Sequence, residues 1–387
     1  MKKLAIITTH PIQYYAPIFR LLSQRKKIAI KVFYTMGEGA ANKFDHGFNK
    51  VIEWDVPLLE GYEFEWMKNT AADPGSHHFK GIVNPEGIEQ VKKYQPDALL
   101  IFGWAYQSHL KIIRYFKHKT PIYFRGDSTL LNERGRVKKA LRYIFLKWVY
   151  RNVDHAFFVG KNNKRYYEKY GLKENQLSFA PHAIDNARFE TARGPEANEL
   201  RLSFSIGDKE ILILYAGKFE PVKNVELLVS AFITLNRPNV HLLLAGNGPN
   251  ENGLRGLADK SNVTANIHFT GFKNQTYMPA LYQAADLFCL PSKSESWGLS
   301  INEAMACGRA ILASDKVGCA ADLIAAEKNG AVFISGDAGS LVKKLQQLTE
   351  SKAQLITLGQ RSKEIIKAWG FLPIAEAIEN KLLNEAY

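Results

Sequence analysis

One stretch of the sequence, residues 291–308, constrains the fold of this chain more than any other. It follows the largely apolar run 286–290, which has the length of a buried strand, and its second half has helical spacing that Gly308 can end with a left-handed cap. A strand, a polar loop and a helix start therefore follow one another. In open α/β sheets such a loop lies where ligands bind, and the amides of a helix start attract anions such as phosphate.

Two glutamates within this stretch are candidate ligand contacts. Glu295 lies in the loop, and Glu303 lies eight positions further on, just inside the predicted helix. Ser300 and Glu303 also have the spacing of a capping box, and on spacing alone this structural interpretation is favoured over a ligand role. Glu295 has no such structural explanation, although a loop carboxylate can also be plain solvated surface.

These residues resemble the motif of a known family. Glu295 and Glu303 form the E-x7-E pattern of retaining glycosyltransferases of family 4, and the flanking Pro-Ser, Gly-Leu-Ser and Glu-Ala-Met-Ala-Cys-Gly segments are similar too. The resemblance extends from Tyr215 to about Val332, whereas the N-terminal half is similar only in outline. It implies a GT-B fold, in which two Rossmann-like domains face each other across a cleft and a C-terminal helix returns to the N-terminal domain.

Short apolar runs alternate with helical segments along both halves of the chain, which predicts two α/β domains with parallel sheets. The predicted strands are residues 4–8, 28–34, 98–102, 121–124, 155–159, 211–215, 240–244, 267–270, 287–290, 310–314 and 331–334. We expect an acceptor-binding domain at 1–190, completed by 368–387, and a donor-binding domain at 205–367, with polar residues 185–208 as the linker. Residues 44–85 are predicted to form an antiparallel excursion and a loop over the cleft.

A second polar loop follows the strand that ends near Ala216, and it contains Gly217, Lys218 and Lys223. Two lysines at the carboxyl end of a strand can neutralise a diphosphate as a divalent metal does elsewhere, although taken alone they are more typical of solvated surface. In the resembling family an Arg/Lys pair at these positions holds the donor diphosphate. Here Lys218 replaces the commoner Arg, which keeps the charge but weakens bidentate phosphate recognition.

The resemblance implies the rest of the donor site. Glu303 would bind the ribose hydroxyls, and Glu295 would bind the hydroxyls of the transferred sugar. Backbone groups would line the site at Gly271 and Phe272 for the base and at Gly298, Leu299 and Ser300 for the diphosphate. A core position is the alternative for Phe272. We expect no protein nucleophile, because in this family the leaving phosphate is thought to deprotonate the acceptor.

Several motifs of other enzyme classes are missing. The Gly246-Asn-Gly248-Pro sequence follows a strand but lacks the full G-x-G-x-x-G pattern, so we interpret it as a tight turn. The chain has no D-x-D sequence, no Cys/His group with zinc spacing, no Gly-x-Ser-x-Gly elbow and no Walker A motif. We therefore expect no cofactor and no metal ion at the transfer site, and we exclude a hydrolase of the elbow type and a P-loop ATPase.

Two turns of the N-terminal half are candidate acceptor contacts. His10, Gln13 and Tyr14 follow the first strand, where the family often has a Gly-Gly pair that is missing here, and ordinary turn residues are the alternative. Arg125 and Asp127 follow another strand, where many relatives place a sugar-contacting His. Asp127 would take over that contact or would N-cap the next helix. The predicted catalytic residues are thus Glu295, Lys218, Lys223 and Asp127.

The net charge of +13 is concentrated in one segment, because residues 111–151 hold 12 Lys and Arg against two Asp and Glu. Residues 134–151 mix basic and apolar side chains, including Phe145 and Trp148, which predicts a helix that covers the sheet or an interfacial helix that meets anionic lipid. Enzymes that resemble this chain commonly build bacterial surface polysaccharides on lipid-diphosphate carriers. The expected acceptor is therefore a glycan or lipid-linked glycan, with no nucleic-acid partner.

These observations predict a metal-independent retaining glycosyltransferase of class EC 2.4 that moves a sugar from a nucleotide-diphosphate donor, with UDP favoured over GDP, to a hydroxyl acceptor. The alternatives are another GT-B enzyme, such as a nucleotide-sugar epimerase, and a non-catalytic nucleotide-sugar-binding protein. Three cysteines, Cys289, Cys307 and Cys319, cannot make a disulfide framework, and no apolar run has the length of a membrane span. We expect a cytoplasmic protein that binds peripherally to the inner face of the membrane.

Overall fold

The computed structural model describes residues 1–40, 44–45, 50–51, 53–131, 136–325 and 328–384. The chain divides into two compact units. Unit 1 comprises Met1–Lys43, Pro57–His182 and Phe371–Tyr387, and unit 2 comprises Phe44–Val56 and Ala183–Gly370. Each unit is built around its own parallel sheet, which confirms the prediction of two α/β domains.

The described residues form strands and helices that alternate along most of the chain. The strands are β1 (Lys3–Thr8), β2 (Ala29–Tyr34), β3 (Phe44–Asp45), β4 (Lys50–Val51), β5 (Phe64–Trp66), β6 (Ala98–Phe102), β7 (Ile122–Arg125), β8 (His155–Phe158), β9 (Leu177–Phe179), β10 (Ile211–Ala216), β11 (Val240–Ala245), β12 (Ile267–Gly271), β13 (Leu287–Leu290), β14 (Ala310–Ser314) and β15 (Gly330–Phe333). The α-helices are α1 (Ala16–Arg25), α2 (Gly87–Tyr94), α3 (Gln107–Phe116), α4 (Arg136–Tyr150), α5 (Lys161–Lys169), α6 (Asn186–Glu190), α7 (Gly194–Ser203), α8 (Val225–Leu235), α9 (Glu251–Asp259), α10 (Met278–Ala284), α11 (Leu299–Ala306), α12 (Ala320–Leu323), α13 (Ala338–Leu348), α14 (Lys352–Ile366) and α15 (Phe371–Leu383).

Both large sheets follow the doubly wound pattern. In unit 1 the described strands have the order β5-β2-β1-β6-β7-β8-β9, and in unit 2 they have the order β12-β11-β10-β13-β14-β15. Every residue of β10, β11, β13 and β14 is buried. These strands are apolar except for His241 and Ser314, because a parallel sheet with helices on both faces buries both sides of each central strand.

All eleven predicted strands are present, and each of their ends lies within one residue of the prediction. The four short strands β3, β4, β5 and β9 were not predicted individually. β3 and β4 pair antiparallel, which confirms the antiparallel excursion within residues 44–85. The loop over the cleft stays a prediction.

The predicted linker at 185–208 is wrong, because this segment forms α6 and α7 and packs within unit 2. The Cys307 thiol donates to the carbonyl of Phe189 at 3.3 Å, and the Arg201 guanidinium donates to the carbonyl of Ala284 at 2.9 Å. The chain passes from unit 1 to unit 2 after His182 and returns after Gly370, whereas the sequence pattern predicts these boundaries near 190–205 and 367. Phe44–Val56, which the sequence pattern places in the first domain, also belongs to unit 2.

The C-terminal helix α15 belongs to unit 1, as expected for the returning helix. It packs on α1, and Arg25 donates to the Glu379 carboxylate through Nε at 2.8 Å and Nη2 at 3.0 Å. The Glu379 side chain is 1% exposed, so this ion pair is a largely buried connection between the first helix and the last one.

The three cysteines are free thiols buried in unit 2. Burial raises the pKa of Cys307 to about 12, so its thiol keeps its proton at neutral pH. Among the described residues, no helix has both the length and the apolarity needed to span a membrane.

Candidate active site

The order of strands in unit 2 places two predicted loops side by side. β10 lies between β11 and β13, and the chain builds outward from β10 first on one side and then on the other. The loops after β10 and β13 therefore leave the sheet at the topological switch point, where doubly wound sheets bind ligands. The Lys293 amide donates to the Val222 carbonyl at 2.8 Å, which ties these two loops together.

Lys223 and Glu295, which are 72 residues apart in the sequence, form an ion pair between the two loops. Their side chains are 22% and 17% exposed, so the pair is largely enclosed but still reaches solvent. The Glu295 backbone is fixed on both sides, because its amide donates to the Lys316 carbonyl at 3.1 Å and its carbonyl accepts from the Gly318 amide at 3.0 Å. The alternative of a freely solvated Glu295 is therefore wrong.

Lys218 lies half-buried in the loop that follows β10, and Tyr215 holds the backbone of this loop. The Tyr215 hydroxyl donates to the Lys218 carbonyl at 2.7 Å. Burial, and secondly the nearby Glu295 carboxylate, hold the pKa of Tyr215 well above its usual value, so this hydroxyl remains a donor. The sequence pattern indicates Tyr215 only as a strand residue.

The glycine-rich turn after β11 is part of the same strand-end surface. Its Gly246 amide donates to the Gly271 carbonyl at 2.9 Å, and the Asn247 carbonyl accepts from the Phe219 amide at 2.9 Å. A Cβ on Gly246 would lie only 1.9 Å from the Gly217 carbonyl oxygen. The turn predicted here is therefore also a close contact between the loops that follow β10, β11 and β12.

The capping-box interpretation of Glu303 is wrong. Helix α11 begins after Gly298, which has φ of 100°, so Ser300 is the second residue of the helix and cannot be its cap. Glu303 is 3% exposed, and its Oε2 accepts a hydrogen bond from the Tyr282 hydroxyl at 2.8 Å. The amides of Leu299 and Ser300 lie in the first turn of α11, where helices carry amides without intrahelical partners.

The start of α11 is held in place by Trp297 and Trp369, whose contact with each other was not predicted. The Trp297 indole donates from Nε1 to the Asn302 Oδ1 at 3.0 Å, and both side chains are buried. The Trp297 ring also packs on Trp369, with ring centroids 5.3 Å apart. These contacts fix the segment between Glu295 and the helix.

Gly271 and Phe272 end β12 at the same edge of the sheet. Gly271 has φ of 67°, and no atom lies within 4 Å of a Cβ built on it. Phe272 directly follows the strand and is half-buried. Its contact with the nucleotide base stays a prediction.

In unit 1, the predicted acceptor residues His10, Gln13 and Tyr14 lie half-buried between β1 and α1. The His10 Nδ1 lies 2.9 Å from the Thr9 hydroxyl, which orients the imidazole ring. Arg125 is placed differently from our expectation. It is 2% exposed, and its guanidinium donates to the carbonyls of Ala180 and Pro181 at 2.8 Å each, which is a structural role.

Asp127 lies after β7 beside a histidine that the sequence analysis did not single out. The His182 Nε2 lies 3.9 Å from the Asp127 Oδ2, and the His182 ring stacks on Tyr15 with ring centroids 6.2 Å apart. Burial lowers the pKa of His182, while Asp127 opposes this shift. The N-cap alternative for Asp127 is wrong, because residues 128–131 are not helical and α4 begins at Arg136.

The comparisons with known proteins agree with this architecture. Residues 197–365 match the family model described as "Glycosyl transferases group 1". This part of the chain is therefore similar to group 1 glycosyltransferases. It contains β10–β15 and every predicted donor-site residue. The sulfoquinovosyl transferase SQD2 of Arabidopsis thaliana is 28% identical over 217 residues, which cover 55% of this chain and 40% of that protein.

The chain spans 34% to 50% of the length of the first curated relatives that it matches. Two solved structures are similar over nearly the whole chain. Sucrose-phosphate synthase from Thermosynechococcus elongatus is 20% identical, with 98% of each chain covered and a TM-score of 0.73. Anabaena HepE in complex with UDP is 17% identical, with 100% of each chain covered and a TM-score of 0.75. This likeness confirms the GT-B fold with two Rossmann-like domains.

Proposed function

We propose that this chain is a retaining glycosyltransferase that moves a sugar from a nucleotide-diphosphate donor, with UDP favoured, to a hydroxyl acceptor. The observation that carries the proposal is the Lys223–Glu295 ion pair at the switch point of the unit 2 sheet, within the residues that match the group 1 glycosyltransferase model. It joins a cation suited to a diphosphate and a carboxylate suited to sugar hydroxyls. The likeness to a structure that holds UDP supports this choice of nucleotide.

In the proposed reaction, the bond between the anomeric carbon and the diphosphate oxygen breaks, and its electrons stay on the diphosphate. Lys218, Lys223 and the first amides of α11 stabilise this developing charge, so we assign no metal ion to the step. The acceptor oxygen bonds to the anomeric carbon on the same face, and its proton passes to a phosphate oxygen. The donor diphosphate replaces Glu295 as the partner of Lys223, and Glu295 turns to the sugar hydroxyls.

Two further contacts complete the proposal. Glu303 binds the ribose hydroxyls, and the hydrogen bond from Tyr282 orients its carboxylate for this contact. On the acceptor side, Asp127 contacts the transferred sugar, and His10, Gln13 and Tyr14 contact the acceptor.

The proposal is tested by replacing Lys223. We expect Lys223→Ala to lower the transfer rate about 10²- to 10³-fold, the usual effect of losing one group that stabilises developing charge. Lys343→Ala, on the exposed surface of α13, is the matched control and should transfer at the normal rate. Mass spectrometry of donor and acceptor products measures the rate, and circular dichroism checks the fold. A folded Lys223→Ala variant with normal turnover would remove the diphosphate assignment.

We further propose that the acceptor is a lipid-linked glycan and that α4 contacts the membrane surface that carries it. Leu141, Ile144, Phe145 and Trp148 are between 39% and 68% exposed, whereas Leu146 and Val149 of the same helix are fully buried. The helix therefore covers the sheet with one face and presents apolar side chains on the other. Each basic residue near an anionic bilayer contributes about 1 kcal/mol to the free energy of membrane binding, and α4 and the segment before it are rich in such residues. Arg134 and the side chains of Arg136, Lys138 and Lys139 lie outside the described residues.

Sedimentation with liposomes tests this contact. Binding should require anionic lipid, fall as the salt concentration rises, and weaken when Leu141, Ile144 and Trp148 are changed to Ser. Leu202→Ser, at an apolar side chain of α7 that is 74% exposed, is the control and should bind normally. If the wild-type protein does not sediment with any liposome, the acceptor-bearing surface is not a membrane.

A further inference from the structure

A loop of unit 1 that plays no part in the proposed transfer brings together three metal-ligand side chains. It comprises residues 70–83, between β5 and α2, and we name it the Asp73 loop. Its base is closed by the Thr70 amide, which donates to the Val83 carbonyl at 2.8 Å. The Asn69 Oδ1 accepts from the amides of Val83 and Ala71 at 2.9 and 3.1 Å, which holds the two ends of the loop together.

The tip of the Asp73 loop is also ordered by hydrogen bonds. The Gly75 amide donates to the Gly81 carbonyl at 3.0 Å, and the Gly81 amide donates to the His78 carbonyl at 3.2 Å. The Tyr106 hydroxyl, at the start of α3, donates to the Ser76 carbonyl at 3.3 Å. The backbone that carries the three ligand side chains is therefore defined before any ion binds.

Asp73, His77 and His78 converge above this backbone. The Asp73 Oδ2 lies 3.3 Å from the His77 Nε2 and 3.2 Å from the His78 Nε2, and the three ligand atoms lie within 4.8 Å of one another. In a tetrahedral site with metal–ligand bonds of about 2.0–2.1 Å, neighbouring ligand atoms are about 3.3 Å apart. Two of the three edges already have this length.

The donor set indicates which class of ion would bind. Imidazole suits Zn²⁺, Cu²⁺ and Ni²⁺, whereas Mg²⁺ and Ca²⁺ prefer sites made of oxygen ligands alone. The side chains are 73%, 64% and 36% exposed for Asp73, His77 and His78, so solvent can reach the ion and complete its coordination. A search of the sequence for Cys/His spacing could not find this site, because one of its ligands is an aspartate.

We propose that Asp73, His77 and His78 bind one divalent transition-metal ion of the Zn²⁺ type, with water in the remaining positions. The ion would link the two ends of the segment 73–78 and stiffen the tip of the loop. This inference goes beyond the proposed transfer, whose charge-stabilising lysines belong to unit 2. The two proposals can therefore fail independently.

Titration of metal into the full-length protein, purified without a histidine tag and stripped with a chelator, tests the inference. Isothermal calorimetry should give one Zn²⁺ per chain. His77→Ala should weaken binding at least about 10-fold, because losing even an outer hydrogen-bond partner of a metal site costs about 10- to 100-fold in affinity. His118→Ala, at an exposed histidine beyond α3, is the matched control and should bind like the wild type.

Co²⁺ absorption gives a second readout that is independent of activity and of affinity. The wild type and His118→Ala should show the intense visible bands of four-coordinate Co²⁺, and Asp73→Asn and His77→Ala should lose or shift them. Circular dichroism should be unchanged, since all three ligands lie in a surface loop. Absence of saturable Zn²⁺ binding, or equal binding by His77→Ala and the wild type, would overturn the proposal.

Discussion

At the residue scale, the donor side of unit 2 depends on how closely backbone groups approach one another. Gly246 has φ of +140°. A Cβ on this residue would lie 1.9 Å from the Gly217 carbonyl oxygen, so only glycine allows the two loops to approach this closely. Gly217 and Gly246 directly follow the paired strands β10 and β11, so neither loop can withdraw without shifting the end of its strand. Gly246 thus fixes the position of the loop that carries Lys218 and Lys223.

We predict that Gly246→Ala lowers the affinity for UDP at least about tenfold, equivalent to about 1.4 kcal/mol of binding free energy, because it displaces this loop. Isothermal calorimetry measures the affinity. Gly253→Ala is the control, because a Cβ there would meet no atom within 4 Å and the residue lies in α9. It should bind UDP normally and be about 0.5–1 kcal/mol more stable. Unchanged affinity in Gly246→Ala would show that the loop contact does not shape the site.

Residues of the candidate site were predictable where the signal was local. Lys218, Lys223 and Glu295 lie in polar loops directly after apolar strands, and the sequence shows this without knowledge of the fold. The hydrogen bond from Tyr282 to Glu303 spans 21 residues, and nothing in the spacing indicates it. The capping box was a false local match, because the φ of Gly298 starts the helix earlier than Ser300.

At the scale of elements, the central strands gave the clearest sequence signal, because they are buried on both faces. The central strands of unit 2 are almost entirely apolar, and their ends were predicted to within one residue. β5 and β9 lie at the two edges of the unit 1 sheet, have three residues each, and contain no fully buried residue. The edge strands β12 and β15 were predicted, because they are longer and each contains a buried apolar residue. α7 was mistaken for a linker because only two of its buried residues, Ala197 and Leu200, are apolar.

The returning helix α15 gives a prediction at this scale. Arg25→Ala should destabilise unit 1 more than Glu379→Gln does. The reason is that Glu379 is 1% exposed and would keep a buried charge, whereas the Arg25 side chain is 20% exposed and can be solvated. Hydrogen exchange of the α15 amides and thermal unfolding measure the effect.

Lys27 provides the control for this pair. Its ammonium lies 3.6 Å from the Glu379 carboxylate but is 51% exposed, so Lys27→Ala should cost much less than Arg25→Ala. Equal effects of Arg25→Ala and Glu379→Gln would mean that the carboxylate is not held as a buried charge, and our account of how α15 is anchored would be wrong.

At the scale of the whole molecule, a buried histidine makes stability depend on pH. His109 is fully buried, with Nδ1 2.9 Å from the Gly103 carbonyl and Nε2 2.9 Å from the Thr35 hydroxyl. Burial lowers its pKa from 6.5 to about 4. Between pH 4 and pH 6.5 the unfolded chain therefore binds more protons than the folded chain. The contribution of the neutral His109 imidazole to the free energy of unfolding is complete above pH 6.5 and is lost as the pH falls towards 4.

We predict that lowering the pH from about 7.5 to about 5 reduces the free energy of unfolding by about 2 kcal/mol through His109. Urea unfolding at both pH values measures this change. His109→Gln should remove that part of the pH dependence, whereas His118→Gln, at an exposed site, should retain it. A wild-type protein whose stability is equal at both pH values would contradict the assignment of a buried neutral imidazole.

The division into two compact units gives the last prediction, because a nucleotide that binds one unit stabilises the chain by mass action. We expect UDP to raise the melting temperature more than GDP or ADP, with about 2.7 kcal/mol of stabilisation when its concentration is about 100 times the dissociation constant. Hydrogen exchange should show protection at residues 217–224 and 291–300. Lys223→Ala should lose most of the shift in melting temperature, whereas Lys343→Ala should keep it.

A larger shift with GDP than with UDP would change the proposed nucleotide. Protection that is confined to unit 1 would contradict a donor site at the carboxyl ends of β10 and β13, because both loops belong to unit 2.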